Sequence, residues 1–226
     1  MTGAVEGAIP GSRSATSPDR LLPRGRHTLP REFVAHTQRD RLMDAMAQMV
    51  ATKGYTSTSL NDVCVRAGVS TKTFYQHFDS KESCFLATFD HGVELVQRTV
   101  AGAYQEPGEW PDRIRRGLNT LLHILAAEPA FATLAVVESL AAGPRAVERR
   151  RTLLASYHPF FADAPGRPPL SPAVIEALVG GVYQVIYDHV ATGRTAELPD
   201  RLPELTYFLL APVMGRVVAK DTAGLG

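Results

Sequence analysis

Between Thr71 and Phe78 the sequence reads TKTFYQHF, and its residue types divide by spacing. Phe74 and Phe78 stand four apart, on one face of a helix. Thr71, Lys72, Tyr75 and Gln76 fall on the opposite side, with Thr73 and His77 flanking. These are side chains with a specific chemistry. A lysine donates to guanine O6 or N7, a glutamine pairs with adenine N6 and N7, and a threonine methyl meets a thymine methyl. The Tyr75 hydroxyl can reach a phosphate. A helix that only filled a core would not need so many donors. The pattern predicts a short helix that lies in a groove of double-stranded DNA.

Such a helix must be held out by its neighbours, and the flanking sequence supplies them. Leu42, Ala45, Met46, Met49 and Val50 recur at helical spacing, which predicts a first helix over 31–53, ended by Gly54. Ser59 caps a second helix, with Asp62 at its third position as in a capping box. Leu60, Val63, Cys64 and Ala67 form its inner face, and Gly68 ends it. Ser70 caps the third helix, 71–78. Three residues, Gly68-Val69-Ser70, join the second and third helices, the spacing of a helix-turn-helix. Asp79 is expected to cap a long fourth helix, with Glu82 at its third position and Phe85, Phe89, Val93, Val96 and Val100 inside. Helix N-termini present free N–H groups and a positive dipole end, so Thr58 and Ser59 at one and Lys81 at the other are placed to grip phosphate.

The rest of the chain is also helical by pattern. Ile114, Leu118, Leu121, Leu122 and Leu125 form a stripe. A short helix is expected from Pro129 to about Ala142, another over 145–162, a loop at 163–171, and two closing helices at 172–192 and 200–219, the last kinked at Pro212. No β-alternation of any length appears, so the fold class is all-α. The expected organisation is a disordered basic arm over 1–29, a helix-turn-helix head over 30–79, a helical body over 80–220 and a tail over 221–226. Arg13, Arg20, Arg24 and Arg26 give the arm its basic character.

Composition narrows the classes further. The 226 residues carry a net charge of +1, which alone says nothing about nucleic acid. The split is more useful: residues 1–81 hold 11 Lys and Arg against 7 Asp and Glu, and the remainder holds 13 against 16. The positive balance lies with the groove helix. No apolar run reaches the ~18 residues of a membrane span, and no signal-peptide pattern opens the chain. With two cysteines, Cys64 and Cys84, a disulfide framework is not expected and a cytoplasmic setting is. Cys64 falls on a core-facing stripe, so an inert thiol is expected. His123, His158 and His189 make no metal-binding pair, and no phosphate loop or nucleophile elbow occurs. No metal, cofactor or catalytic residue is expected.

Residues 53–86, KGYTSTSLNDVCVRAGVSTKTFYQHFDSKESCFL, resemble the DNA-binding head of the TetR/AcrR family of bacterial transcription regulators. The resemblance rests on Gly54-Tyr55, Thr58-Ser59, Ala67-Gly68-Val69-Ser70, Thr73-Phe74-Tyr75, Phe78 and Ser80-Lys81-Glu82. It covers about residues 31–90. Lys72 departs from it, since a small residue or proline is common there in the family. The resemblance implies a homodimer on a near-palindromic operator, and a small molecule in the body that releases DNA. It also implies groove or phosphate contacts for Thr73 and Tyr75 and a phosphate contact for Lys81. A repressor is the main expectation; an activator, or a small-molecule binder whose head no longer binds DNA, are the alternatives.

In the body, broad apolar faces on the last two helices, with Gly180-Gly181 allowing close approach, are expected to pair with their mates in a dimer. A hydrophobic effector needs a mainly apolar pocket with a few polar anchors. Phe89, Trp110, Leu122, Phe131, Glu138, Tyr157, Phe161, Tyr183 and Tyr187 are the candidate lining residues.

Overall fold

The computed structural model describes residues 8–12, 31–166 and 169–225, and among these residues it holds helices and no strand. The all-α class is therefore observed. Ten α-helices run in order through the described residues: α1 (Arg31–Lys53), α2 (Leu60–Ala67), α3 (Thr71–His77), α4 (Lys81–Gln105), α5 (Trp110–Ala127), α6 (Pro129–Ala132), α7 (Pro144–Ala155), α8 (Pro172–Ala191), α9 (Leu202–Met214) and α10 (Arg216–Ala223). Proline begins α6, α7 and α8, and stands in the first turn of α5 and α9. Its missing N–H costs nothing there and its φ suits a helix start.

The head forms as its sequence dictates. Ser59 accepts from the Asp62 amide and Asp62 returns a bond to the Ser59 amide, a closed capping box. Gly68 ends α2 in the left-handed region, at φ 64°, which a side chain rarely adopts. Ser70 caps α3. The fourth helix starts one residue later than expected: Ser80, not Asp79, is its cap, and Ser83, not Glu82, closes the box with it.

Three further departures have local chemical causes. The helix expected from Pro129 to Ala142 is broken. After α6 the chain passes through a π-helical turn, Thr133–Val137, and a 3-10 turn, Glu138–Leu140. The helix expected over 145–162 stops at Ala155, and a 3-10 turn, His158–Phe161, comes next because Pro159 has no N–H to continue the helix. The closing helix is preceded by a 3-10 turn, Thr195–Arg201, and is broken at Gly215 (φ 80°), three residues after Pro212. Residues 8–12 also differ from a disordered arm. Gly11 donates to the Asp44 carboxylate at 2.8 Å and accepts from Gln48 at 3.1 Å, and Ile9 packs on the core. The other residues of the expected arm, its four arginines included, lie outside the described ones.

Two apolar clusters fill the interior. One runs from α1, α2 and α3 through Phe85, Phe89, Val96 and Val100 of α4 to Phe131, Leu134, Ala142 and Ala146. The other joins α5, α8 and α9 around Leu122, Val182, Ile186 and Leu209. The first crosses from head to body, so the head shares its core with the helices behind it. Cys64 and Cys84 are buried, free thiols in this cluster, and burial pushes both of their pKa values up. Among the described residues no single helix is long and apolar enough to cross a membrane.

The closest packing in the first cluster involves Gly92 of α4. A β-carbon there would stand 2.1 Å from the Phe131 ring, so that buried ring, 2% exposed, would have to shift. Gly92→Ala is expected to destabilise the protein by about 1–3 kcal/mol, the cost of an overpacked core. Urea unfolding of the two proteins measures it.

Candidate functional site

The exposed side of α3 is the one its spacing predicts. Phe74 and Phe78 are buried, their rings 5.7 Å apart. Thr71, Lys72, Tyr75 and Gln76 are exposed, and Tyr75 retains 57% of its surface. The flanking pair turn partly inward. The Thr73 hydroxyl lies 2.9 Å from the Ser70 hydroxyl. The His77 ring faces the Gln38 side chain at 3.4 Å, and burial with the nearby Arg39 lowers its pKa. Arg39 also donates to the His77 carbonyl at 3.3 Å and lies over the Phe78 ring, which fastens the C-terminal end of α3 to α1.

The expected phosphate grips are less open than the sequence suggests. Thr58 is buried and its hydroxyl donates to the Gly54 carbonyl at 2.8 Å. Ser59 is exposed, but its hydroxyl donates to Asp62, whose carboxylate already occupies the positive end of α2. Lys53 at 2.8 Å and the Ser59 groups hold that carboxyl well below the usual carboxylate range. Lys81 is the most engaged of them. Its ammonium donates to the carbonyls of Tyr55 (2.9 Å) and Thr58 (2.8 Å) and lies 4.2 Å from the Tyr55 ring centre. Two of its three donors are thus spent on the α1–α2 loop. Burial lowers its pKa.

Tyr55 is where head and body meet. Its carbonyl takes Lys81, its ring meets Phe85 edge-on at 5.0 Å, and its amide donates to the Glu138 carboxylate at 2.7 Å. The sequence places Glu138 among the pocket residues. It points at the head instead, because it comes directly after the π-helical turn that carries it past the cavity wall. The Glu138 amide donates to Thr133 five residues back, the bond of a π-helix. Two further bonds seize carbonyls of this turn: Tyr183 donates to Val136 at 2.6 Å and Ser139 to Ala135 at 2.8 Å.

Behind this turn lies an apolar cavity of about 130 Å³, between the two clusters. Its wall includes Val93, Val96 and Val100 of α4, Leu118 and Leu121 of α5, and Val182 and Ile186 of α8. Of the expected residues, Phe131, Tyr157, Phe161 and Tyr183 line it. Phe89, Trp110, Leu122, Glu138 and Tyr187 are not on the wall. Phe89 and Leu122 are fully packed core, and the Trp110 N–H donates to the Phe160 carbonyl at 2.9 Å. Tyr187 packs against Tyr183. The aliphatic wall is missing from the sequence-based set because a valine facing a void has the same helical spacing as one facing a neighbour.

An exposed helix-turn-helix edge on a helical body with an apolar cavity defines an all-α helix-turn-helix protein. Residues 42–88, the helix-turn-helix head and the start of α4, match the model of "Bacterial regulatory proteins, tetR family". The chain is 30% identical over 131 residues to "HTH-type transcriptional regulator EthR" of Mycolicibacterium smegmatis, 57% of this chain and 58% of that one. It spans between 37% and 58% of the length of the first curated relatives it matches. Among solved structures, the fatty acid degradation regulator FadR of Bacillus halodurans superposes with a TM-score of 0.70 at 17% identity, over 78% of this chain and 96% of that one. FadR of Bacillus subtilis, solved with stearoyl-CoA, gives 0.66 at 16%, over 77% and 97%. At these identities the likeness is one of fold.

The junction makes a stability prediction. Glu138→Ala leaves the Tyr55 amide without its acceptor, at an expected cost of about 1–3 kcal/mol. Glu138→Gln keeps a neutral acceptor and should lose less. Chemical denaturation of the three proteins gives the order.

Proposed function

We propose that the protein is a ligand-responsive transcription regulator that binds a near-palindromic DNA operator as a homodimer, acts as a repressor, and is released by a hydrophobic small molecule. The observation that carries this reading is α3 itself. Phe74 and Phe78 anchor one side in the core, and Thr71, Lys72, Tyr75 and Gln76 stand free on the other. The match of residues 42–88 to the tetR family model and the apolar cavity support it. Within the reading, Lys72 and Gln76 read bases, Tyr75 contacts a phosphate, and Lys81 positions the loop instead of touching DNA.

The dimer is proposed through α8 and α9. Ala177, Gly180 and Gln184 form an exposed stripe on α8, and Phe208 of α9 is 41% exposed. The close approach expected at Gly180-Gly181 is made within the chain at one of the two residues: the Phe208 ring covers Gly181, 2.7 Å from where a β-carbon would stand, and Gly180 stays open. An open face with small residues at Ala177 and Gly180 fits a mate related by two-fold symmetry.

Release needs a route from cavity to head. The turn Thr133–Val137 borders the cavity through Ala135 and Val136, and Glu138 directly after it holds Tyr55. A π-turn differs from an α-turn by one residue of register. Its relaxation rotates the downstream residues by about 100°, enough to carry Glu138 off Tyr55. The effector shifts the equilibrium only by binding the rearranged state more tightly than the DNA-bound one.

Selection of bound duplexes from a random pool, followed by titration at two salt concentrations, tests the reading. A palindromic site with half-sites about 34 Å apart and steep salt dependence is expected. Lys72→Ala and Gln76→Ala should each cost roughly 1–3 kcal/mol on the selected site and relax base choice. Absence of any enriched sequence, with and without added effector extracts, contradicts it.

A further inference from the structure

The cavity wall carries three polar side chains, Tyr104, Tyr157 and Tyr183, and no Lys, Arg, His, Asp or Glu. Two of the three hydroxyls are spent. Tyr104 donates to the Phe160 carbonyl at 3.0 Å. Tyr183 donates to the Val136 carbonyl and accepts from Arg150 at 2.9 Å. The Tyr157 hydroxyl has no partner among the described residues. Tyr157 lies just beyond the end of α7, with its ring 5.9 Å from that of Phe160. Its side chain lies deep in the protein, deep enough that burial pushes its pKa up to about 12. The residue keeps some accessible surface and stands in the cavity wall.

A hydroxyl on an apolar cavity wall that makes no bond within the protein is available to complete one with a ligand. We propose that Tyr157 is the polar anchor of the effector, and that the effector is a compact, uncharged, mainly aliphatic molecule carrying one carbonyl or hydroxyl. The inference rests on reading this cavity as the effector site. Charge is excluded by the wall: an anion there would lose water and meet no cation, since Arg150 reaches the wall only through Tyr183. Size is set by the volume, which is close to that of engineered cavities that hold benzene. The body of the ligand replaces empty space against Val96, Val182 and Ile186, and its one polar group takes the hydroxyl that the protein leaves open.

The test is a titration of the full chain, monitored by NMR, with three probes of matched size: cyclohexanone, methylcyclohexane and cyclohexanecarboxylate. The wild type should bind both neutral probes and bind the ketone with the added benefit of one hydrogen bond. Tyr157→Phe should weaken cyclohexanone roughly 5–10-fold, the worth of one neutral hydrogen bond, and leave methylcyclohexane within about twofold. Equal affinity of the two proteins for cyclohexanone overturns the anchor while leaving the cavity reading intact. Binding of neither neutral probe to the wild type overturns the cavity reading itself. Tighter binding of the carboxylate than of the ketone overturns the uncharged class. A readout without ligand completes the set. Tyr157→Phe should melt at or above the wild-type temperature, whereas Tyr183→Phe, which strips the Val136 carbonyl of its donor, should melt below it. A Tyr157→Phe protein that melts well below the wild type would mean that the hydroxyl is already partnered, and would overturn the proposal.

Discussion

The loop between α1 and α2 has no helix or sheet to satisfy its backbone, so its polar groups must find partners elsewhere. At Tyr55 they find them on elements later in the chain. Lys81, the first residue of α4, takes the carbonyls of Tyr55 and Thr58, and Glu138, after α6, takes the Tyr55 amide. All three bonds involve a charged side chain, which makes them stronger than neutral ones. The position of α3 depends on this junction, because α2 begins only a few residues after Gly54-Tyr55 and α3 is fastened to α1 by Arg39 and Phe78. An edge that reads DNA must be held to within about half an ångström. Here a shared core and three charge-assisted hydrogen bonds to backbone do the holding.

The same junction lies close to the cavity along the chain. Glu138 is one residue beyond the π-helical turn, and Val136 within that turn is held by Tyr183 from the cavity wall. Turns of this sort are common at functional sites. On the other side, Phe131 borders the cavity and also presses on Gly92 of α4. Cavity, turn and head are therefore in contact through packed side chains with little room to give. In a dense interior such contacts rearrange between discrete states instead of yielding gradually.

Much of the head is legible in the sequence because its signals are local. Capping by Ser59 and Ser70, the left-handed Gly68 and the i, i+4 pair Phe74 and Phe78 each depend on near neighbours, and each is observed. The features that escape are non-local. Lys81 reads as a solvent-facing cation at a helix start, yet it is captured by a loop more than twenty residues earlier. Glu138 reads as a polar pocket anchor, yet its partner lies 83 residues away. The cavity wall is half legible. Phe131, Tyr157, Phe161 and Tyr183 can be picked out, but Trp110 and Leu122 face solid core, and nothing in their spacing tells a packed side chain from one beside a void. The break after Ala132 is hidden because nothing local in Thr133–Val137 marks a π register, and the bond that meets this turn from far along the chain, Tyr183 to Val136, is non-local.

The central claim is that the cavity and the head communicate through Tyr55. Amide hydrogen exchange at Tyr55, measured by NMR in isotopically labelled protein with the cavity empty and then filled by cyclohexanone, tests it most directly. The account predicts slow exchange in the free protein that quickens on filling, as Glu138 leaves the amide. An unchanged Tyr55 rate, while the Val96 and Val182 methyl signals report a filled cavity, would contradict it.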